Sequence, residues 1–241
     1  MRELTELTDV ADPAWPEIER ELAVSSVPAE VVPVDPGRGR ATLLQLQVTA
    51  RSYLGGFALN CGGLLLDHGW LRTFGSPAAG NQPELAGFAQ VNDFPKAFDP
   101  EWRATALIIA HDVLGGVFAI NGAAPQEHAR PGSPGEVIYF VPASLSWEAL
   151  GIGHADWLSW TLSGALDEFY AGERWPGWQD EVRAMTAAQG MSCFPPLWSA
   201  EARGWPEVIE RKPVPMAEVI ALARDTARQF DNTDPGFLGA V

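Results

Sequence analysis

Two aspartate–histidine pairs carry the clearest chemical potential in this chain of 241 residues. Asp67-His68 and His111-Asp112 each interrupt apolar runs. Carboxylate plus imidazole is the donor set of a zinc or manganese site, and also of a general-base pair. Both residues are ordinary in turns as well, because aspartate closes a turn through its side-chain oxygen and histidine tolerates exposure. Hydrolysis would further need a nucleophile. The chain has no Gly-x-Ser-x-Gly elbow, no Walker loop and no complete Gly-x-Gly-x-x-Gly; Gly151-Ile152-Gly153 is only the start of one. We therefore assign no catalytic residue, no metal and no cofactor. A second cluster sets Tyr170 beside Arg174-Trp175-Pro176-Gly177-Trp178. An arginine among aromatic rings can line a ligand pocket by stacking, and the same rings can simply fill a sheet–helix interface. The candidate binding residues are Asp67, His68, Trp70, His111, Asp112, Tyr170, Arg174 and Trp175. Arg51, Arg72 and Arg103 flank apolar runs and are expected to be buried partners of Asp67 or Asp112.

Hairpins would have to hold the two pairs in place. Residues 106–110 form a short apolar, β-branched run, residues 116–121 its return, and 111–115 a loop with the glycine of a bulged hairpin. Residues 136–141 make a third strand, stopped by Pro142. Residues 64–67 and 70–74 form another hairpin around the two-residue turn His68-Gly69. Near the N-terminus, Asp12-Pro13 opens a helix with Trp15, Ile18 and Leu22 at helical spacing, and Val32 and Val34 mark a short edge strand. Residues 37–40 read as a turn and 42–49 as a half-buried strand, with Leu44, Leu46 and Val48 alternating against Gln45, Gln47 and Thr49. Residues 52–60 read as a bent strand or irregular link, residues 75–83 as a loop, and 83–88 as room for one helical turn. Residues 122–135, with three prolines, read as an exposed excursion.

Beyond Pro142 the pattern becomes helical, and seven of the ten tryptophans fall there, as expected for a layer packed on the sheet. Leu158, Leu162, Ala165, Leu166 and Phe169 share one helical face that Gly164 kinks. Pro176 opens a helix carrying Trp178, Val182 and Met185; residues 192–198 read as irregular and Val208-Ile209 as a short strand. The final helix starts near Pro215 and buries Met216, Val219, Ile220, Ala223, Ala227 and Phe230. Strands in the middle with helices at both ends argue for one α+β domain over residues 1–241, built on a mostly antiparallel sheet of about five to seven strands.

An apolar content of 46% supplies a sizeable core, which excludes a disordered chain. With 31 acidic and 16 basic residues the net charge is −15, so phosphate backbones and anionic membranes are repelled. Nucleic-acid and membrane partners are not expected; a basic protein partner is compatible with this charge. Cys61 and Cys193 have no metal-ligand spacing and read as reduced thiols of a cytoplasmic protein. The first residues lack the apolar segment of a signal peptide.

Six blocks carry a family resemblance. Residues 46–52 (LQVTARS), 62–72 (GGLLLDHGWLR), 118–122 (FAING), 146–148 (SWE), 169–172 (FYAG) and 211–216 (RKPVPM) resemble the bacterial family called domain of unknown function 2625 across nearly the whole chain. That family has no established activity, so the likeness implies no reaction. More distantly, the order of a first helix, a glycine-containing sheet with Gly115-Gly116-Val117, then Val137-Ile138-Tyr139-Phe140, Trp147 and a closing helix is similar to the SMI1/KNR4-like superfamily. Many bacterial members of that superfamily are immunity proteins that neutralise toxins, although the tryptophan-rich tail here departs from its pattern.

Two functional classes follow. The first is a non-enzymatic, immunity-like binding protein that uses an acidic surface against a basic partner such as a toxin. The second is a small-ligand binder or hydrolase-like enzyme, with its pocket at Asp67/His68 and His111/Asp112. The oligomeric state is not encoded in any motif.

Overall fold

The computed structural model describes residues 1–80, 84–205, 208–230 and 234–241. Its centre is a seven-stranded antiparallel meander in which the strands stand in chain order. The strands are β1 (Ala29–Val32), β2 (Gly63–Leu66), β3 (Leu71–Phe74), β4 (Ala106–Asp112), β5 (Val117–Asn121), β6 (Glu136–Val141) and β7 (Ser146–Gly153); β8 (Gln189–Phe194) and β9 (Glu210–Pro215) form a separate antiparallel pair. Helices α1 (Leu4–Thr8), α2 (Trp15–Ala23), α3 (Pro36–Leu46) and α4 (Tyr53–Asn60) precede β2, and α5 (Phe88–Val91) lies between β3 and β4. After β7 come α6 (His154–Leu162), α7 (Leu166–Phe169), α8 (Trp178–Arg183) and α9 (Met216–Phe230). The architecture is α+β with a central antiparallel sheet, as the sequence pattern implies.

Both expected hairpins form. The β2–β3 turn runs through Asp67, His68 and Gly69, all at positive φ, where glycine alone among the three lacks a Cβ penalty. The β4–β5 turn uses Gly115 at φ 87°. Because β3 pairs with β4, with Leu71 opposite Asp112, both turns lie side by side at one end of the sheet.

The segments read as a turn plus a strand (37–49) and as an irregular link (52–60) are instead α3 and α4. Two caps decide this: the Asp35 carboxylate accepts from Arg38 N at 2.8 Å ahead of Pro36, and Ser52 Oγ accepts from Gly55 N at 3.0 Å. A Cβ on Gly39 would stand 2.6 Å from the Leu59 carbonyl oxygen, so the glycine lets these helices touch backbone to backbone. Strand β7 lies beyond Pro142, where the sequence pattern implies helices; it is an edge strand whose outer side chains face solvent, so no apolar run marks it. Similarly β8 includes residues 192–194, read as irregular, and β9 begins at Glu210 rather than Val208. Gly164, at φ 92°, separates α6 from α7 at the expected kink. Residues 81–83 of the expected loop lie outside the described residues.

Pairing register fixes which side chains share a face. Glu30, Leu65, Arg72, His111, Val117, Phe140 and Trp147 form one row across six pairings. On the opposite face, Ala110, Phe118 and Tyr139 are covered by Trp157 of α6 and Phe169 of α7, with ring centroids 5.4 and 5.9 Å from Phe118. One buried apolar cluster extends from Ala14 to Leu238.

Candidate functional site

Six of the eight candidate residues meet on the α6–α7 side of the two hairpin turns. Asp112 is fully buried, and its carboxylate is saturated. Oδ1 accepts from the backbone N–H groups of Leu114 and Gly116, both at 2.9 Å, while Oδ2 accepts from Tyr139 Oη at 2.7 Å and Tyr170 Oη at 3.2 Å. Burial pushes its pKa up, against these four donors. Glycine is required at position 116, where a Cβ would lie 2.0 Å from Asp112 Oδ2 and 2.3 Å from Tyr139 Oη. Beside this group, the Arg174 guanidinium bridges Asp67 and Asp167, the latter at 2.6 Å, and lies over the rings of Trp178 (4.3 Å), Trp70 (5.3 Å) and Tyr170 (5.5 Å). Trp175 packs against Trp70 at 5.6 Å. Glu173 completes the assembly: burial first, then the Asp112 charge, raise its carboxyl to about 8, and its Oε2 has no hydrogen-bond partner among the described residues. Asp67 thus pairs with Arg174, not with Arg51, Arg72 or Arg103. Arg51 and Arg103 are exposed.

This assembly is closed. The carboxylates of Asp67 and Asp112 are occupied by protein donors, so its geometry ties the turns to α7 and α8. Among the described residues no group of three or more histidine, cysteine, aspartate or glutamate side chains is placed to hold a metal ion. His68 stands at the margin, its Nδ1 accepting from Arg183 Nη2 at 2.9 Å and its ring 5.8 Å from Trp178.

His111 is separated from all of these by the sheet. Its Nε2 lies 3.0 Å from the Leu238 carbonyl, which can only accept, so the ring proton sits on Nε2 and Nδ1 is a free lone pair. Nδ1 is buried and has no hydrogen-bond partner among the described residues. Burial lowers the imidazole to about 4, assisted by the nearby Arg72 charge, so the ring is neutral near pH 7.

Arg72 is directly opposite His111 in the sheet and only 3% exposed. Its Nε donates to the Gly69 carbonyl at 3.0 Å, and its Nη1 to the carbonyls of Ala187, at 3.1 Å, and Gln189. Among the described residues nothing accepts from Nη2, and no carboxylate comes within ion-pair distance of the guanidinium. Burial pulls its pKa down to about 10 against the opposing effect of the Asp112 charge, so it stays charged near pH 7. Arg72 and His111 both border a cavity of about 470 Å³, with Arg38, Phe74 and Met216 among its other walls. Arg38 is exposed on α3, its Nη1 donating to Pro77 O at 3.1 Å. Sequence reasoning cast Arg72 only as a buried ion-pair partner and gave Arg38 no role. A charge inside the apolar strand run 70–74 was the available signal for Arg72; Arg38 offered none.

With this geometry in hand, similarity to known proteins adds a family. The chain belongs to the family described as protein of unknown function DUF2625, whose model matches residues 4–219. It is 37% identical over 214 residues to the putative uncharacterized protein YbfG of Escherichia coli K12, covering 84% of this chain and 89% of that one. It is 29% identical over 198 residues to an uncharacterized protein of Haemophilus influenzae, covering 82% and 83% respectively. No solved structure matches. Among the described residues no helix is long and apolar enough to cross a membrane.

Proposed function

We propose that this protein binds a small molecule bearing a carboxylate or phosphate in the cleft bordered by Arg38, Arg72 and His111. The observation behind this reading is the buried guanidinium of Arg72, which among the described residues has no carboxylate within ion-pair distance, feels only the longer-range charge of Asp112, and keeps two N–H donors unused. A buried, unpaired charge costs several kcal/mol even after partial compensation by carbonyl dipoles. An oxyanion in the cleft would supply the missing charge, and a planar arginine fork suits carboxylate and phosphate oxygens. The His111 Nδ1 lone pair favours a ligand with a hydroxyl or N–H donor near the anionic group. The net charge of −15 makes a positively charged recess selective by contrast.

Thermal-shift and NMR titrations with phosphate, succinate and lactate, against sodium chloride at matched ionic strength, test this. A saturable stabilisation by at least one oxyanion is expected, weakened in Arg38→Ala and lost in Arg72→Met. Should Arg72→Met fail to fold, Arg38→Glu, an exposed position where the substitution places a negative charge in the cleft, takes its place and should abolish the stabilisation. No saturable response to any of the three anions overturns the reading.

One observation favours a second reading, the immunity-like binder. Glu3, Glu6, Asp9, Asp12, Glu17 and Glu19 are all exposed on and around α1 and α2, against Arg2 and Arg20. Such a surface would speed encounter with a basic protein. Captured basic partners that are lost when salt is raised would support it, and capture indifferent to salt would remove it.

A further inference from the structure

A second cavity adjoins the cleft, and its walls differ in character. It has a volume of about 540 Å³ and shares Arg38, Pro77, Gly87 and Gln90 with the first. Leu44, Phe88, Phe94 and Phe98 line it, with Lys96 at the same wall. Phe94 is held edge-on between Phe88, at 5.7 Å, and Trp102, at 4.5 Å, so the aromatic wall is fixed in place. The two hydroxyls that line it, Thr42 and Ser76, are hydrogen-bonded to each other at 3.1 Å, which blunts their polarity. Among the described side chains that line the two cavities stand three fixed cations, Arg38, Arg72 and Lys96, and one side-chain carboxylate, Glu84.

We infer that the ligand is an amphipathic anion whose charged group sits at Arg72 and whose apolar body passes Arg38 into the groove walled by Leu44, Phe88, Phe94 and Phe98. This rests on the anion site proposed above and adds the class of body attached to the anion. Both volumes fall within the range of small-molecule sites, roughly 300–1,000 Å³, and an apolar wall with a few convergent polar groups is their usual composition. The arrangement separates the roles: Arg72 and Arg38 recognise charge, and the phenylalanine wall takes up apolar surface that a simple inorganic anion leaves empty.

Calorimetric titration of the full chain with acetate, butanoate, hexanoate, octanoate and octyl phosphate, all below micelle formation, tests the inference, with octylammonium as the control of opposite charge. Affinity for the carboxylates is expected to rise about two- to fourfold per added methylene until the groove is filled. Octyl phosphate should bind comparably to octanoate, and octylammonium at least tenfold more weakly. Leu44→Gln and Phe98→Gln, both at partly exposed positions, should flatten the dependence on chain length while leaving acetate binding unchanged. If acetate and octanoate bind equally, if octylammonium binds as well as octanoate, or if the two variants leave the slope intact, the inference is overturned and the anion site stands. If the wild-type chain binds none of the anions, both fall together.

Discussion

His111 and Asp112 are adjacent in β4 and work on opposite sides of the sheet. His111 faces Phe74, with ring centroids 4.9 Å apart, and donates to the Leu238 carbonyl, whereas Asp112 accepts from Tyr139 and Tyr170 beneath α7. Period-two alternation of a strand dictates the split. One pair of neighbours therefore serves two different structures: a sealed acid–tyrosine–arginine assembly that fastens the hairpin turns, and an open cleft where an unpaired arginine meets a neutral imidazole.

The sealed side should behave as a cooperative hydrogen-bond network. Tyr139→Phe is expected to cost about 1–2 kcal/mol and Tyr170→Phe less, given its longer bond. Removing both hydroxyls leaves Oδ2 of a buried carboxylate bare, so the double variant should lose more than the sum of the two. Asp112→Asn should cost about 2–4 kcal/mol, because an amide cannot accept at both ends. Urea denaturation with unchanged m-values measures all four. Strict additivity would show that the two tyrosines act independently.

Glu173 makes stability fall as pH rises. Its carboxyl titrates at 4.5 in the unfolded chain and is raised to about 8 in the fold. Between those values the folded state holds a proton that the unfolded state has released, so the contribution is complete below 4.5 and is lost by the time pH passes about 8. The limit is about 1.4 kcal/mol per pH unit, a few kcal/mol in all. Glu173→Gln should match the wild type near pH 5 and exceed its stability at pH 8.5, as read from denaturation midpoints at the two pH values. Equal midpoints at pH 8.5 would mean that the carboxylate finds a partner when it ionises.

The two hairpins were legible because apolar, β-branched runs end at glycines that the turns require, Gly69 and Gly115 both at φ 87°. The α3–α4 pair was not. Its glycines suggest turns by local propensity, and their purpose, close approach, appears only in three dimensions: a Cβ on Gly55 would lie 2.1 Å from the Thr49 carbonyl oxygen. Strand β7 escaped notice because an edge strand facing solvent needs no apolar run. The aromatic–arginine cluster could be read as a type of environment, but the Arg174–Asp67 pairing spans 107 residues and no periodicity encodes it. The state of Arg72 depends on which carbonyls the 187–189 segment turns toward it, again a long-range contact. Opposite facing of His111 and Asp112 was available from alternation alone, had the strand been extended through both residues instead of being ended before them.

On the cleft side, acid should destabilise the protein through His111. Its folded pKa, about 4, lies below the ordinary 6.5 because the ring is buried and Arg72 is close. As pH falls from 6.5 toward 4, the unfolded chain takes up a proton that the folded ring refuses, so stability present above 6.5 is lost through this window, by up to about 3 kcal/mol. His154, half-buried at the start of α6 and also lowered to about 4, adds a loss of the same sign. The window overlaps that of Glu173 with opposite slope, so the variants have to separate them. In a Glu173→Gln background, stability should climb from pH 4 to 6.5 and then level off. Adding His111→Gln, whose amide can still donate to the Leu238 carbonyl, should remove about half of that climb. The same substitution leaves an acceptor at the cleft, so oxyanion binding should survive it at pH 7, as a thermal-shift titration with phosphate would show. Loss of binding in a folded His111→Gln variant would instead mean that the ring itself shapes the anion's seat beside Arg72.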